Sequence, residues 1–395
     1  MGTKQYDSAT DLITFSRASS ATFLGSNGLL QTAANNIPRI EYDATGAVKG
    51  LLIEEARTNL LSYSGAVTST GWNVSALNVS AVTAGSPFGS YQSGSPPSTS
   101  STEGQAYQIG KPLTSGATCV GWSLVKYSAG NGWFSVSLYT PAGFGAADNQ
   151  RGWFDLQNGV VGSKDTSIID YGMIDYGDGW WLCWASKVAN STSGGINLGV
   201  TTADGASDRN SGDVVLIAGS QFEQGAFPTS YIPTTGAPAT RAKDLAEIPT
   251  SAFGYNNDQG SLVIDVLTPV ADQIMPLAYF NTSTYNNSRA FWKSNSGITA
   301  VGTDYVRSTH DGATTKFTIG QQTQAVYAKL GLSYGDSEKA VRDGGTVLSG
   351  TSRYPNPTRL HLGGRDNGFQ SQCWIKSIQY YPRRLTDTQL QELTT

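Results

Sequence analysis

A chain of 395 residues is long enough for two or three domains of ordinary size. Hydrophobic residues make up 38% of it and charged residues 14%, with 46 glycines, 19 tyrosines and 9 tryptophans; so little charge with so many aromatics and turn residues excludes disorder and favours short stacked strands over helical bundles. A formal net charge of −4 without any Lys/Arg run excludes the footprint of a nucleic-acid binder, and neither a membrane-spanning run of roughly 20 apolar residues nor the apolar core of a signal peptide can be found.

From Ile13 to Ile40 the text reads as short extended pieces broken by turns, with Pro38 barred from a central ladder position. The turn signal DATG, Asp43 to Gly46, leads into KGLLIEEARTNLLSYS, Lys49 to Ser64, which is out of character with the Gly/Ser/Thr-rich text around it. As a helix this stretch would bring Leu51, Leu52 and Glu55 together and make Glu54 and Arg57 an i,i+3 pair. As a strand, GLLIE is a short apolar run, and Glu55 to Asn59 turns the chain into Leu60 and Leu61. At no more than about three turns a helix here is marginal alone, so strand then turn is expected.

From Gly71 to about Tyr231 strands and turns repeat. In GWFSVSLYT, from Gly132, Phe134, Val136 and Leu138 share one face, and Ser135, Ser137 and Tyr139 the other. In GWWLCWAS, from Gly179, Trp180, Leu182 and Trp184 oppose Trp181 and Cys183; both faces are apolar, so this strand should be covered twice. Pro228, Pro233, Pro238 and Pro249 then mark an extended, semi-rigid connector and a domain boundary near residue 245. Beyond it GSLVIDVLTP, AVYAKLGLSYG, TRLHLGGRD and CWIKSIQYYPRRL read as strands; in the last, Trp374, Lys376 and Ile378 should oppose Ile375, Ser377 and Gln379. In LTDTQLQELTT, Thr386 and Gln389 have capping-box spacing and Leu390 and Leu393 fall on one side, which predicts one terminal helix.

The motifs ITFSRASSATFL, GLLQTAANNIPRIEYDATG and GLLIEEARTNLLSYS, followed by GDGWWLCWAS and SQFEQGAFPTSYIPTTGAPATRAKD, stand in the order found in tail-fibre-like structural proteins of tailed bacteriophages. The resemblance covers about residues 12–244. Residues 260–395 resemble the laminin-G or concanavalin-like lectin fold, on GSLVIDV, LHLGGRD and WIKSIQYYPRRLTDTQLQEL. The resemblance implies an all-β chain in three parts: an N-terminal collar, residues 1–62; a first β-sandwich of carbohydrate-binding-module type, 63–245; and a second, laminin-G-like sandwich, 246–395. The opening stretch would join collar to first sandwich, burying Leu51, Leu52, Ile53, Leu60 and Leu61, with Glu54, Glu55 and Arg57 in polar contacts. It further implies a virion protein folded in the bacterial host cytoplasm, bound to other virion proteins through its N-terminal segment and to a bacterial surface glycan. A homo-oligomer is implied, a trimer among the forms, though no heptad seam of three or four repeats is present.

Chemistry is sparsely signalled. The histidines, His310 and His361, sit in no zinc motif, and no nucleophile elbow or phosphate loop occurs. Cys119, Cys183 and Cys373 have no short spacing and read as small buried hydrophobes. Asp170, Asp175 and Asp178 form the densest acidic cluster, yet the adjoining Gly177 and Gly179 are the signature of a hairpin turn; no cofactor is indicated, since calcium needs six to eight oxygens that the text does not assemble. For sugar binding, the candidates beside turns are Trp292, Tyr305, Asp366 and Asn367, because aromatic faces stack on sugar rings while rim polar groups take hydroxyls. The plainer reading of each is core packing or turn formation. The expected function is non-catalytic attachment of a virion to host glycans, with a purely structural capsid decoration or baseplate part as the alternative and a polysaccharide depolymerase as the third option.

Overall fold

The alternating segments form the strands their pattern demands, and the computed structural model of the chain is all-β apart from one short helix and a single 3-10 turn among the described residues. It describes residues 12–65, 67, 71–96, 99–100, 104–139, 150–269, 275–282, 288–294, 302–310, 313–322, 327–353, 355–364 and 372–395. Two six-stranded antiparallel sheets make the first sandwich and two seven-stranded sheets the second. The first core lies between strands such as Trp133–Tyr139 and Thr118–Ala129 and contains Phe134, Val136, Leu138, Val125, Cys183 and Phe222. The second holds Leu262, Ile264, Val266, Leu277, Phe280 and Leu330. Each such side chain taken fully from water contributes about 1.5–3 kcal/mol.

Strand Trp180–Val188 is covered on both faces, as its composition requires. Cys183 and Ala185 enter the main core with Trp181 packed against it, while Trp180 and Leu182 form a second cluster with Trp122, Ala218 and Tyr231. That second face is roofed by the chain's own flanks: Leu30, from the N-terminal hairpin of strands Ala21–Leu24 and Leu30–Ala33, and Tyr231, from the proline-rich connector, whose ring stacks on Phe88 at 4.6 Å.

The N-terminal segment differs from the expected collar. Strand Thr14–Ser16 pairs with Leu245–Pro249 at one edge of a seven-stranded sheet. Strands Arg39–Tyr42 and Val48–Ile53 extend the other, through the pairs Leu51 with Ile375, Leu52 with Trp374 and Ile53 with Cys373. Three of its strands therefore belong to the sheets of the C-terminal sandwich, where Val48–Ile53 pairs the last strand, Cys373–Tyr381, on a side that would otherwise be an open edge. Gly50 permits the approach: it has φ of +128°, and a Cβ there would meet the Ile375 carbonyl at 2.5 Å.

KGLLIEEARTNLLSYS is strand, turn and strand. Leu51 and Ile53 enter the second core, Leu60 and Leu61 the first, and Leu52 packs with Leu267 and Trp374. Between them strand Arg57–Asn59 pairs with Ala239–Arg241. One short stretch thus supplies both cores, and the connector is fixed against it: the buried Asn59 amide donates to the Ile232 carbonyl at 2.8 Å and accepts from Leu61 N and Phe222 N.

The last strand keeps its expected place but not its expected faces. A register shift lets Ile375 pair with Val266 and Ser377 with Asp265, so Lys376 is the extra residue of a bulge, and Ile375 and Ile378 both reach the core. The helix, Asp387–Thr394, has the predicted capping box between Thr386 and Gln389 and buries Leu390.

Candidate functional site

Five residues of the types that a β core normally excludes gather in one place. Arg17, Arg39, Glu54, Arg241 and Asp244 have side chains no more than 1% exposed. Arg39 pairs with Glu54 at 2.8 Å and Asp244 at 2.6 Å; Arg241 holds Glu54 at 2.8 Å and Arg17 holds Asp244 at 3.2 Å. Ser230 donates to Glu54 from its backbone N at 2.8 Å and its hydroxyl at 2.7 Å, while Asp244 accepts from Glu54 N at 2.8 Å. Arg17 and Arg39 also donate to the backbone carbonyls of Ala34 and Thr22, which fixes the N-terminal hairpin. Burial alone would raise the Glu54 carboxyl, but the guanidiniums of Arg241 and Arg39 and the Ser230 bonds outweigh it and hold it at about 2. Burial likewise opposes the charge on Arg39, yet its two carboxylate partners keep its pKa above the ordinary arginine value. Removing one member of such a network is expensive, because the remaining charges stay buried. The cluster joins the N-terminal strands, the connector and the start of the second sandwich. It has no solvent access and is a seam rather than a binding site.

Beside the seam the chain opens. Two cavities of about 440 and 430 Å³ flank Arg57, sharing Ala56, Arg57 and Gln224 in their walls. Arg57 Nε donates to Glu55 Oε1 at 2.8 Å, Nη2 donates to the same oxygen and Nη1 to the Gln224 carbonyl, while the guanidinium lies 5.0 Å from the Phe227 ring centre. Gly225, with φ of +151°, lets it lie there, since a Cβ would overlap the guanidinium. The larger cavity lies between the Arg57–Asn59/Ala239–Arg241 ribbon and the Pro112–Thr114 stretch of the first sandwich. Its floor includes Leu60 and Leu113, each 8% exposed. Its rim carries Thr58 and Thr240, whose hydroxyls are 2.8 Å apart, and Thr114, whose N–H donates to Gln224 Oε1 at 2.5 Å.

The residues singled out in the sequence fall elsewhere. Trp292 and Tyr305 lie on strands Ser288–Ser294 and Gly302–His310, directly opposite one another in register. Asp366 and Asn367 lie outside the described residues. Asp175 accepts from Gly177 N at 2.7 Å, and Asp178, with φ of +50° and an 86% exposed side chain, pairs with Lys126: these are turn acids. Asp170 and Asp175 stand at opposite ends of one six-residue strand, about 16 Å apart by strand rise and beyond the roughly 5–9.5 Å of paired glycosidase carboxylates. His361 is buried, its Nδ1 3.7 Å from Glu247. All three cysteines are buried, and burial pushes the Cys119 thiol up to about 11. Among the described residues no three His, Cys, Asp or Glu side chains are grouped to hold a metal ion.

Sequence reasoning missed the Arg57 cleft, which carries no motif. The polar contacts expected of Glu54, Glu55 and Arg57 exist, but their partners were not legible: Arg57 takes Glu55, and Glu54 takes two remote arginines rather than the Arg57 of the rejected helix reading. The usable signal was arginine within strand-like text, FSRASS and IPRIEY, in a chain so poor in charge.

Together these features define a pair of antiparallel β-sandwiches locked by a buried ionic seam. No family model matches the chain, and no curated protein matches it in sequence. Solved structures similar to it include the NanB sialidase of Streptococcus pneumoniae, at 16% identity over 38% of this chain and 26% of that one, with a TM-score of 0.32. They also include the carbohydrate-binding module CBM40 of the Ruminococcus gnavus IT-sialidase, at 17% identity over 37% of this chain and 87% of that one, TM-score 0.32. A tail fibre protein of an E. coli phage is matched at 9% identity over 80% of this chain and 40% of that one, TM-score 0.25. The chain thus spans about a quarter of the length of the pneumococcal sialidase. At these identities the likeness concerns the fold alone. The expectation that the chain is not an enzyme is withdrawn: sialidases stand among the similar solved structures, and catalytic carboxylates drawn from remote strands leave no motif for a sequence reading to exclude.

Proposed function

We propose that this chain is a surface protein of a tailed-bacteriophage virion, displayed as a homo-oligomer, whose sandwiches attach the particle to glycans of the bacterial surface. The observation that carries the reading is the place of the phage-like motifs. Arg17 of FSRASS, Arg39 of IPRIEY, Glu54 of GLLIEE, and Arg241 and Asp244 of TRAKD meet in the one buried seam. A signature that specifies a joint between sandwiches suits a rigid display scaffold, leaving loops and clefts to vary with the target. Shallow glycan sites in the millimolar to micromolar range supply about 4–8 kcal/mol each, and multivalent display raises avidity by about 10²–10⁴.

The test is binding of purified protein to host cells and to their isolated surface polysaccharide, with release of reducing ends followed in the same tube. Saturable binding supports attachment, released ends assign a depolymerase, and the absence of both signals refutes the reading. A structural partner on the virion is the second reading, favoured by five exposed aliphatic side chains, Val160, Val161, Ile169, Ile174 and Val188, on or beside strands Val160–Lys164, Asp170–Asp175 and Trp180–Val188 of the first sandwich.

A further inference from the structure

We infer that the cleft beside Arg57 seats one neutral, hydroxyl-rich pyranose unit of the recognised glycan, an inference that rests on the attachment reading above. Its volume of about 440 Å³ falls in the range of small-ligand sites, roughly 300–1,000 Å³. An apolar floor of Leu60 and Leu113 under a rim of hydroxyl and amide groups matches a sugar ring, whose C–H face is apolar and whose edge both donates and accepts. The Thr58 and Thr240 hydroxyls each both donate and accept. Gln224 has its carbonyl oxygen fixed by Thr114 N, which sets the amide NH2 as its donor group.

Charge decides between a neutral and an acidic sugar. Each nitrogen of the Arg57 guanidinium already donates, two of them to Glu55 and one to the Gln224 carbonyl. Glu55 thus already neutralises Arg57 in a pair only partly open to water, its side chain 21% exposed and that of Arg57 5%, so an acidic sugar reaching the two remaining N–H groups would face the competing Glu55 carboxylate. A neutral ring meets no such competitor. The site is also built on fixed elements, a two-stranded ribbon and the ends of sandwich strands, so little ordering opposes binding.

Saturation-transfer NMR on the full chain would test this with millimolar methyl glycosides of glucose, galactose and N-acetylglucosamine, and with glucuronic acid as the anionic comparison. At least one neutral glycoside should saturate and glucuronic acid should not. Ala56→Trp, which projects a large ring from the wall that the two cavities share, should abolish the signal, and the isosteric pair Thr58→Val with Thr240→Val should weaken binding about tenfold. The double variant keeps the test valid should the tryptophan perturb folding. A neutral signal unchanged in both variants, or preference for glucuronic acid, overturns the cleft as a neutral-sugar seat while leaving attachment standing. Cell binding without any glycoside signal overturns it equally, whereas loss of both cell binding and glycoside signal in the unmodified chain refutes attachment as well.

Discussion

Replacing Glu54 by glutamine isolates what the seam contributes. The change keeps the volume but leaves three guanidiniums, Arg17, Arg39 and Arg241, around the single carboxylate of Asp244, and it brings an amide NH2 among groups that themselves donate. Two routes give the magnitude. The native carboxyl is held at about 2 against an ordinary 4.5, which at 1.36 kcal/mol per unit is about 3 kcal/mol. Breaking a fully buried ion pair by removing one partner costs about 3–5 kcal/mol. At about 2.1 cal/mol/K of unfolding entropy per residue, a chain of 395 residues loses roughly 1.2 °C per kcal/mol, so Glu54→Gln should lower the midpoint by about 4–6 °C in calorimetry and shift the urea midpoint accordingly. Glu247→Gln is the control: its partner Arg359 is 47% exposed, and such pairs contribute about 0–1 kcal/mol. A loss for Glu54→Gln no larger than for Glu247→Gln would refute the seam as a determinant of stability.

The same carboxyl sets an acid limit. With its folded pKa depressed, its contribution is fully present above about 4.5 and is lost as pH falls from there through about 2; unfolding followed across that window should fall more steeply in the unmodified chain than in Glu54→Gln. Gly225→Ala drives a methyl into the Arg57 guanidinium and should cost about 1–3 kcal/mol in urea unfolding, with loss of the cleft wall. Thr386→Ala removes the capping box of the terminal helix and should cost about 1 kcal/mol, read as faster amide exchange at Leu390 with the sandwich cores unchanged.

What could be read in advance was local. Period-two alternation placed the faces of Trp133–Tyr139, the double covering of Trp180–Val188 and the turn acids at Asp175 and Asp178; capping chemistry placed the helix. Each depends on residues within one strand or turn of each other. What escaped were pairings between remote segments. No feature of GLLIEE says that its partner strand is CWIKSI, and Lys376 shows how one bulge residue reverses the faces of a strand whose composition reads cleanly. The seam escaped for the same reason: Glu54 finds Ser230 176 residues away and Gln372 318 away, distances over which spacing rules do not reach. The cleft has a physical cause for its silence too, since threonines, leucines and a glutamine are ordinary surface and core residues until a fold brings them around one space.

Because strand Val48–Ile53 completes a sheet with Cys373–Tyr381, the first sandwich is an insertion within the second. Glu41 must wait for Trp374, 333 residues later, before that indole N–H can donate to it. During synthesis the inserted sandwich can close while the outer one stays open until strand Cys373–Tyr381 has emerged, so the outer unit closes after the inner one. The arrangement also makes the inner sandwich a cassette: its two entry points, beside Leu61 and before Leu245, are held together by the seam, so its loops, or the whole unit, can be exchanged while the outer sandwich keeps the ends in place.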